Sequence, residues 1–175
     1  MSLLLHVGCG HERGVPVAQF QDWEQIRVDI DPTVGPDVVD DIRELSQFGN
    51  ESADAVYSSH NLEHLSELEV PLALSSFCRV LRPGGIAFIM VPDFRLACEW
   101  VSKGKGEDVI YNSPAGPITP VDMIFGYRPW SANEWQRHRT GFTVSSLRTR
   151  MFSAGFRRVS VTEGQGFDII GVGDK

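Results

Sequence analysis

The chain has 175 residues, of which 42% are hydrophobic and 22% charged, and it carries a formal net charge of −7. That length suits one domain with a core of ordinary size. So acidic a chain is a poor candidate for gripping nucleic acid or an anionic membrane through its overall field, and Arg148, Arg150, Arg157 and Arg158 read as a solvated face.

Residues 3–7, Leu-Leu-Leu-His-Val, form a short apolar run that ends at glycines and predicts a first, buried strand. Gly14 and Pro16 break the next stretch too often for a helix. Strands are predicted over 25–30, 37–40 and 53–58. A helix follows, with Ser66 and Glu69 as a capping box, Pro71 in its first turn, and Val70, Leu74, Phe77, Cys78 and Leu81 at helical spacing. Pro83-Gly84-Gly85 turns the chain into a fifth strand over 86–91, apolar throughout, and residues 94–101 continue as a helix.

Residues 103–141 lack a clean period and are rich in glycine, proline and aromatics. They read as an irregular lid or insertion within a single domain spanning 1–175. Thr143 then caps a helix with Val144, Leu147, Met151 and Ala154 on one side and Gly155 at its end. Val159 and Val161 alternate with polar residues, Gly164-Gln165-Gly166 makes a tight turn, and residues 167–172 return as a last strand. So short a loop requires an antiparallel pair. The expected fold is α/β, a doubly wound and mostly parallel sheet with an antiparallel last strand.

Three cysteines, Cys9, Cys78 and Cys98, form no CxxC pair. They argue against a disulfide scaffold and against zinc held by cysteine. The segment MSLLLHVGCG has no basic region, so it does not read as a signal peptide, and no apolar run is long enough to span a bilayer. The cytoplasm is the expected location.

Val7-Gly8-Cys9-Gly10 ends the first strand, and Asp29 follows near the end of the second. Glycines there let backbone approach a ligand, and a carboxylate there can accept both hydrogen bonds of a ribose diol. The dinucleotide pattern G-x-G-x-x-G fails at Arg13, and Glu12 would repel a pyrophosphate. S-adenosylmethionine (SAM) has no phosphate, so the residues favour it over NAD. Asp40-Asp41-Ile42 suits an adenine amino group and ring, or equally a solvated acidic turn.

LHVGCG, VDIDP, DIREL, ADAVYSSHNLEHL and VLRPGGIAFIMVPD, in this order and spacing, resemble the class I SAM-dependent methyltransferases over roughly residues 3–93. HRTGFT through RMFSAGFRRV resembles the end of the same domains. The resemblance implies a seven-stranded sheet with the last strand antiparallel. It also implies that Gly8, Cys9 and Gly10 lie against the methionine end of SAM, that Asp29 holds the ribose with Ile30 beside the adenine, that Asp41 and Ile42 contact adenine, and that Ser59, His60 and Asn61 line the pocket near the sulfonium. The chain departs from the family where Gly14, Val15 and Pro16 interrupt the usual first helix. A subgroup of short methyltransferase-like proteins, with a loop in that place, is similar.

Methyl transfer needs alignment, exclusion of water and, for some acceptors, a base. His60 and His138 are the candidate catalytic residues. His60 and His64 can share a helical face, but Glu63 is misplaced for H-E-x-x-H and no third ligand is evident, so no metal is expected. Glu63 and His64 read as structural, bonded to neighbouring loops. His6 reads as a buried, satisfied residue. Tyr111, Tyr127, Trp130 and Trp135 form either an aromatic wall for the acceptor or the insertion's own small core. Two functions stay open: methyl transfer to a small molecule, a sugar (glycan) or a lipid-linked intermediate, and a non-catalytic binding or regulatory module on the same fold.

Overall fold

The computed structural model describes residues 2–12, 14–113, 115–130 and 134–175. Seven strands form one sheet in the order β3-β2-β1-β4-β5-β9-β8. They are β1 (Leu3–Val7), β2 (Glu24–Asp29), β3 (Val38–Val39), β4 (Ala53–Ser59), β5 (Leu81–Pro92), β8 (Ser160–Glu163) and β9 (Asp168–Asp174). Pairing is parallel from β3 across to β5, and β9 runs antiparallel to both of its neighbours. The chain order reverses at β1, which pairs with β2 on one edge and β4 on the other. In open α/β sheets that switch point is where ligands bind.

Alternation along the strands sends side chains to two cores. Leu5, Val7, Val56, Ala87, Ile89 and Val91 meet helices α1 (Val70–Val80) and α4 (Val144–Ser153) on one face. Leu4, Ala55 and Tyr57 meet Val15 and Phe20 on the other. Among the described residues no α-helix links β1 to β2: the connection carries a 3-10 turn at Ala18–Phe20, as Gly14 and Pro16 require. Phe20, fully buried, supplies the apolar cover that a helix would otherwise give.

Several elements depart from expectation. The third strand is only two residues long, because Asp40 turns the chain, accepting hydrogen bonds from the Asp41 amide, the Ser46 hydroxyl and the Gln47 amide. Ser66 does not cap α1, which begins at Val70; Glu69 instead accepts the Ser66 amide at 2.9 Å. Pro83-Gly84-Gly85 is a bulge inside β5: the ladder with β4 jumps from Ala53–Leu81 to Ala55–Ile86.

Helix α2 (Phe94–Ser102) is capped by Asp93, whose side chain accepts the Leu96 amide. The segment read as irregular holds a hairpin, β6 (Tyr111–Ser113) with β7 (Gly116–Ile118), and a short helix α3 (Pro120–Phe125). Thr119 and Asp122 form a complete capping box on α3, and Ile118 and Met123 pack with Ala97 of α2. The six residues of α3 are too few for a helical period to register in the sequence.

Candidate functional site

A cleft of about 510 Å³ lies at the C-terminal ends of β1, β2 and β4, a size that suits a small-molecule site. Gly8 and Gly10 line it from β1, Asp29 and Ile30 from β2, Asp41 and Ile42 from the turn after β3, and His60 and Asn61 from the end of β4. Two other expected pocket residues lie outside it. Cys9 is buried with its amide on the Val28 carbonyl, and Ser59 belongs to β4 itself.

Gly8 has φ +62°, and a Cβ added there would fall 2.1 Å from Asn61 Nδ2. Glycine is therefore required both for the backbone angle and for the close approach of Asn61. Asp29 is held by two backbone donors: the Gly10 amide donates to Oδ2 at 2.8 Å and the Asp31 amide to Oδ1 at 2.9 Å. Each oxygen keeps acceptor capacity toward the cleft, the arrangement a vicinal diol needs. Ile30 beside it is 43% exposed, an apolar surface open on the cleft.

Arg27 is a buried residue that sequence reasoning missed. From β2 its guanidinium donates to the carbonyls of Glu12 (2.8 Å), Gly35 (2.8 Å) and Gly10 (3.3 Å). One rigid fork thus ties the glycine turn to the loop after β2. The only signal was a charge inside a predicted strand, where a buried cation must find acceptors.

Asp41 is engaged by its own neighbour. Arg43 donates through Nε to both of its oxygens and also pairs with Glu69. Burial raises the Asp41 carboxyl, but the Arg43 bonds outweigh it and hold the group below the usual carboxylate range. Any adenine amino group would have to share an acceptor already in use.

His60 has φ +49°, a strained angle for a side chain of this size. The ring is 41% exposed on the cleft, with Nδ1 3.5 Å from Glu63 and Nε2 3.4 Å from Asp168. Burial disfavours its charge, yet the two carboxylates outweigh that and push its pKa up to about 9. In that state the ring donates rather than accepts. His138 does not line the cleft. It packs edge-on against His64, ring centroids 4.9 Å apart, with Nδ1 2.8 Å from the Met123 carbonyl. Burial holds it below the ordinary histidine value.

Glu63 and His64 do tie loops together. The Glu63 carbonyl accepts the Arg139 and Thr140 amides, and His64 Nδ1 lies 3.3 Å from the Arg137 carbonyl. Through this latch the segment before α4 reaches the cleft, which Trp135, Gln136 and Arg139 also line. The four aromatics are divided: Trp135 is at the cleft, Tyr127 packs with the small core of α2 and α3, Tyr111 sits in the hairpin, and the side chain of Trp130 lies outside the described residues, as does Arg13. His6 is buried as expected but not satisfied, since Nδ1 has no hydrogen-bond partner.

Residues 5–89 match the model of a family described as a methyltransferase domain. No curated protein matches the chain significantly. Among solved structures, a SAM-dependent methyltransferase from Archaeoglobus fulgidus is similar with TM-score 0.66 and 16% identity, over 99% of this chain and 86% of that one. A possible histamine N-methyltransferase from Thermotoga maritima gives 0.64 and 17%, over 100% and 83%. The 1,6-didemethyltoxoflavin-N1-methyltransferase of Burkholderia thailandensis, with bound 1,6-didemethyltoxoflavin and S-adenosylhomocysteine (SAH), gives 0.60 and 16%, over 99% and 71%. Among the described residues, no helix is long and apolar enough to cross a membrane.

Proposed function

We propose that this chain is a class I SAM-dependent methyltransferase that transfers the methyl group of SAM to a small molecule, a sugar or a lipid-linked intermediate. The observation that carries the reading is the juxtaposition of Asp29, oriented by two backbone amides, with the Gly8–Gly10 turn at the strand-order reversal. Asp29 accepts the ribose hydroxyls, and Ile30 and Ile42 flank the adenine. The glycine turn and Asn61 meet the methionine end, with His60 on the acceptor side. The Asn61 Nδ2 group is buried and has no hydrogen-bond partner, so it is available to a carboxylate or sulfonium-side acceptor atom.

An acceptor of small size is favoured because the cleft is narrow in volume and the chain is acidic. Trp135, Gln136 and Arg139 form the outer wall, and residues 103–141 act as the lid on a single domain. Methyl transfer from a sulfonium asks chiefly for in-line alignment and a dry site, which such a lid supplies. Three free thiols suit the reducing cytoplasm.

Thermal unfolding with SAM, SAH and NAD tests the reading. A ligand at 100 times its Kd stabilises the fold by about 2.7 kcal/mol. Stabilisation by SAM and SAH but not NAD is expected, and no response to either adenosyl compound would overturn it. The acceptor then follows from SAH release across a panel of small hydroxyl, amine and sugar substrates.

A further inference from the structure

Beside the cofactor cleft, Glu63, His64 and His138 bring one carboxylate and two imidazoles together, their donor atoms all within 4.8 Å of one another. Neither residue pair announces this in the sequence, because His138 arrives from the segment before α4 and supplies the third donor that the local spacing lacked. We infer that Glu63, His64 and His138 form a binding site for a divalent first-row transition-metal ion at the edge of the cleft.

The Glu63 side chain is 2% exposed, and among the described residues neither carboxylate oxygen has a hydrogen-bond partner. The His60 ring faces it at 3.5 Å without hydrogen-bonding it, and a buried carboxylate so placed is costly unless a further cation compensates it. The histidines carry the outer partners that metal ligands use. His138 Nδ1 lies 2.8 Å from the Met123 carbonyl and His64 Nδ1 lies 3.3 Å from the Arg137 carbonyl. As N–H donors to those carbonyls, both rings keep Nε2 as the nitrogen with a free lone pair, the tautomer in which ligating histidines are held.

Two imidazoles and one carboxylate suit iron, cobalt, nickel or zinc, whereas magnesium and calcium favour oxygen-only shells. Metal bonds of about 2.0–2.2 Å would draw the three donors closer than they stand now. Three protein ligands leave positions open. His64 also lines the cleft, so a water or an acceptor oxygen can complete the shell from that side. An oxygen bound there would become more acidic. The site itself does not depend on the methyl-transfer reading.

The test titrates the chelator-treated 175-residue chain with Co²⁺, without SAM, following the visible d–d bands and the heat of binding. One equivalent is expected to bind, to be displaced by Zn²⁺, and to lose affinity in Glu63→Gln and His138→Ala by at least the roughly 10- to 100-fold that loss of a mere outer partner costs. Circular dichroism and SAH titration of the same variants show whether the fold and the cofactor cleft survive. In His138→Ala, whose side chain is off the cleft, SAH affinity should hold while cobalt binding falls. Absence of Co²⁺ binding by the folded wild type overturns the site, as does binding that persists in both variants. Cobalt binding without SAH binding would leave the site standing and sink the proposed function instead.

Discussion

Replacing Asp29 with alanine probes the link between the glycine turn and the ribose. The carboxylate accepts the Gly10 amide at 2.8 Å and the Asp31 amide at 2.9 Å, and its remaining lone pairs face the cleft. A charge-assisted hydrogen bond contributes about 1.5–3 kcal/mol, so losing one weakens SAH binding roughly 10- to 150-fold. Both amides lie in half-exposed backbone that water can reach, so the unliganded fold should lose less than about 1 kcal/mol. Calorimetric titration with SAH reads the affinity, and denaturant unfolding reads the stability. Asp29→Asn is the sharper variant: it preserves shape but sets an amide donor against one of the two backbone N–H groups, so binding falls although volume is unchanged. Glu99→Ala, which removes an exposed acid on α2 paired with Arg95 and Lys103 and does not line the cleft, serves as the control. Wild-type affinity for SAH in Asp29→Ala, with the fold intact, would refute the placement of the ribose.

Arg27→Met keeps the aliphatic stem but removes the fork on the Gly10, Glu12 and Gly35 carbonyls; a stability loss of about 2–4 kcal/mol and weaker SAH binding are expected in unfolding and titration experiments, and an unchanged protein would show that the loop holds itself. Gly8→Ala meets both a positive φ and the Asn61 amide, so it should cost about 1–3 kcal/mol in denaturant unfolding, with partial recovery in the double variant carrying Asn61→Ala; no recovery would mean the backbone angle alone carries the penalty. For His6, burial, aided by Arg27 and opposed by Asp29, lowers the pKa to about 4. Between about pH 6.5 and pH 4 the unfolded chain binds a proton that the folded chain does not. Stability should therefore fall with pH there by up to about 1.4 kcal/mol per unit, and His6→Leu should remove that slope; identical pH profiles for the two proteins would contradict it.

The mostly parallel sheet, the antiparallel return of β9 and the residues at the ends of β1 and β2 were legible from sequence, because each rests on a local cause. Apolar runs over 3–7 and 86–91 give buried strands. A glycine pair marks a backbone that must approach something, and a short loop before β9 allows only an antiparallel pair. The hairpin and α3 inside 103–141 were not legible, since three-residue strands and a six-residue helix lie below the length at which periodicity registers, although Thr119 and Asp122 already spelled a capping box. Arg27 as the brace of the glycine turn, the reach of Arg43 to Glu69, and His138 beside Glu63 and His64 were decided by tertiary structure alone. Each joins residues that are distant in sequence or hidden on a strand. The energy of such a contact depends on which buried charge has lost its water and which neighbour replaces it, and that is settled only once the chain has closed on itself.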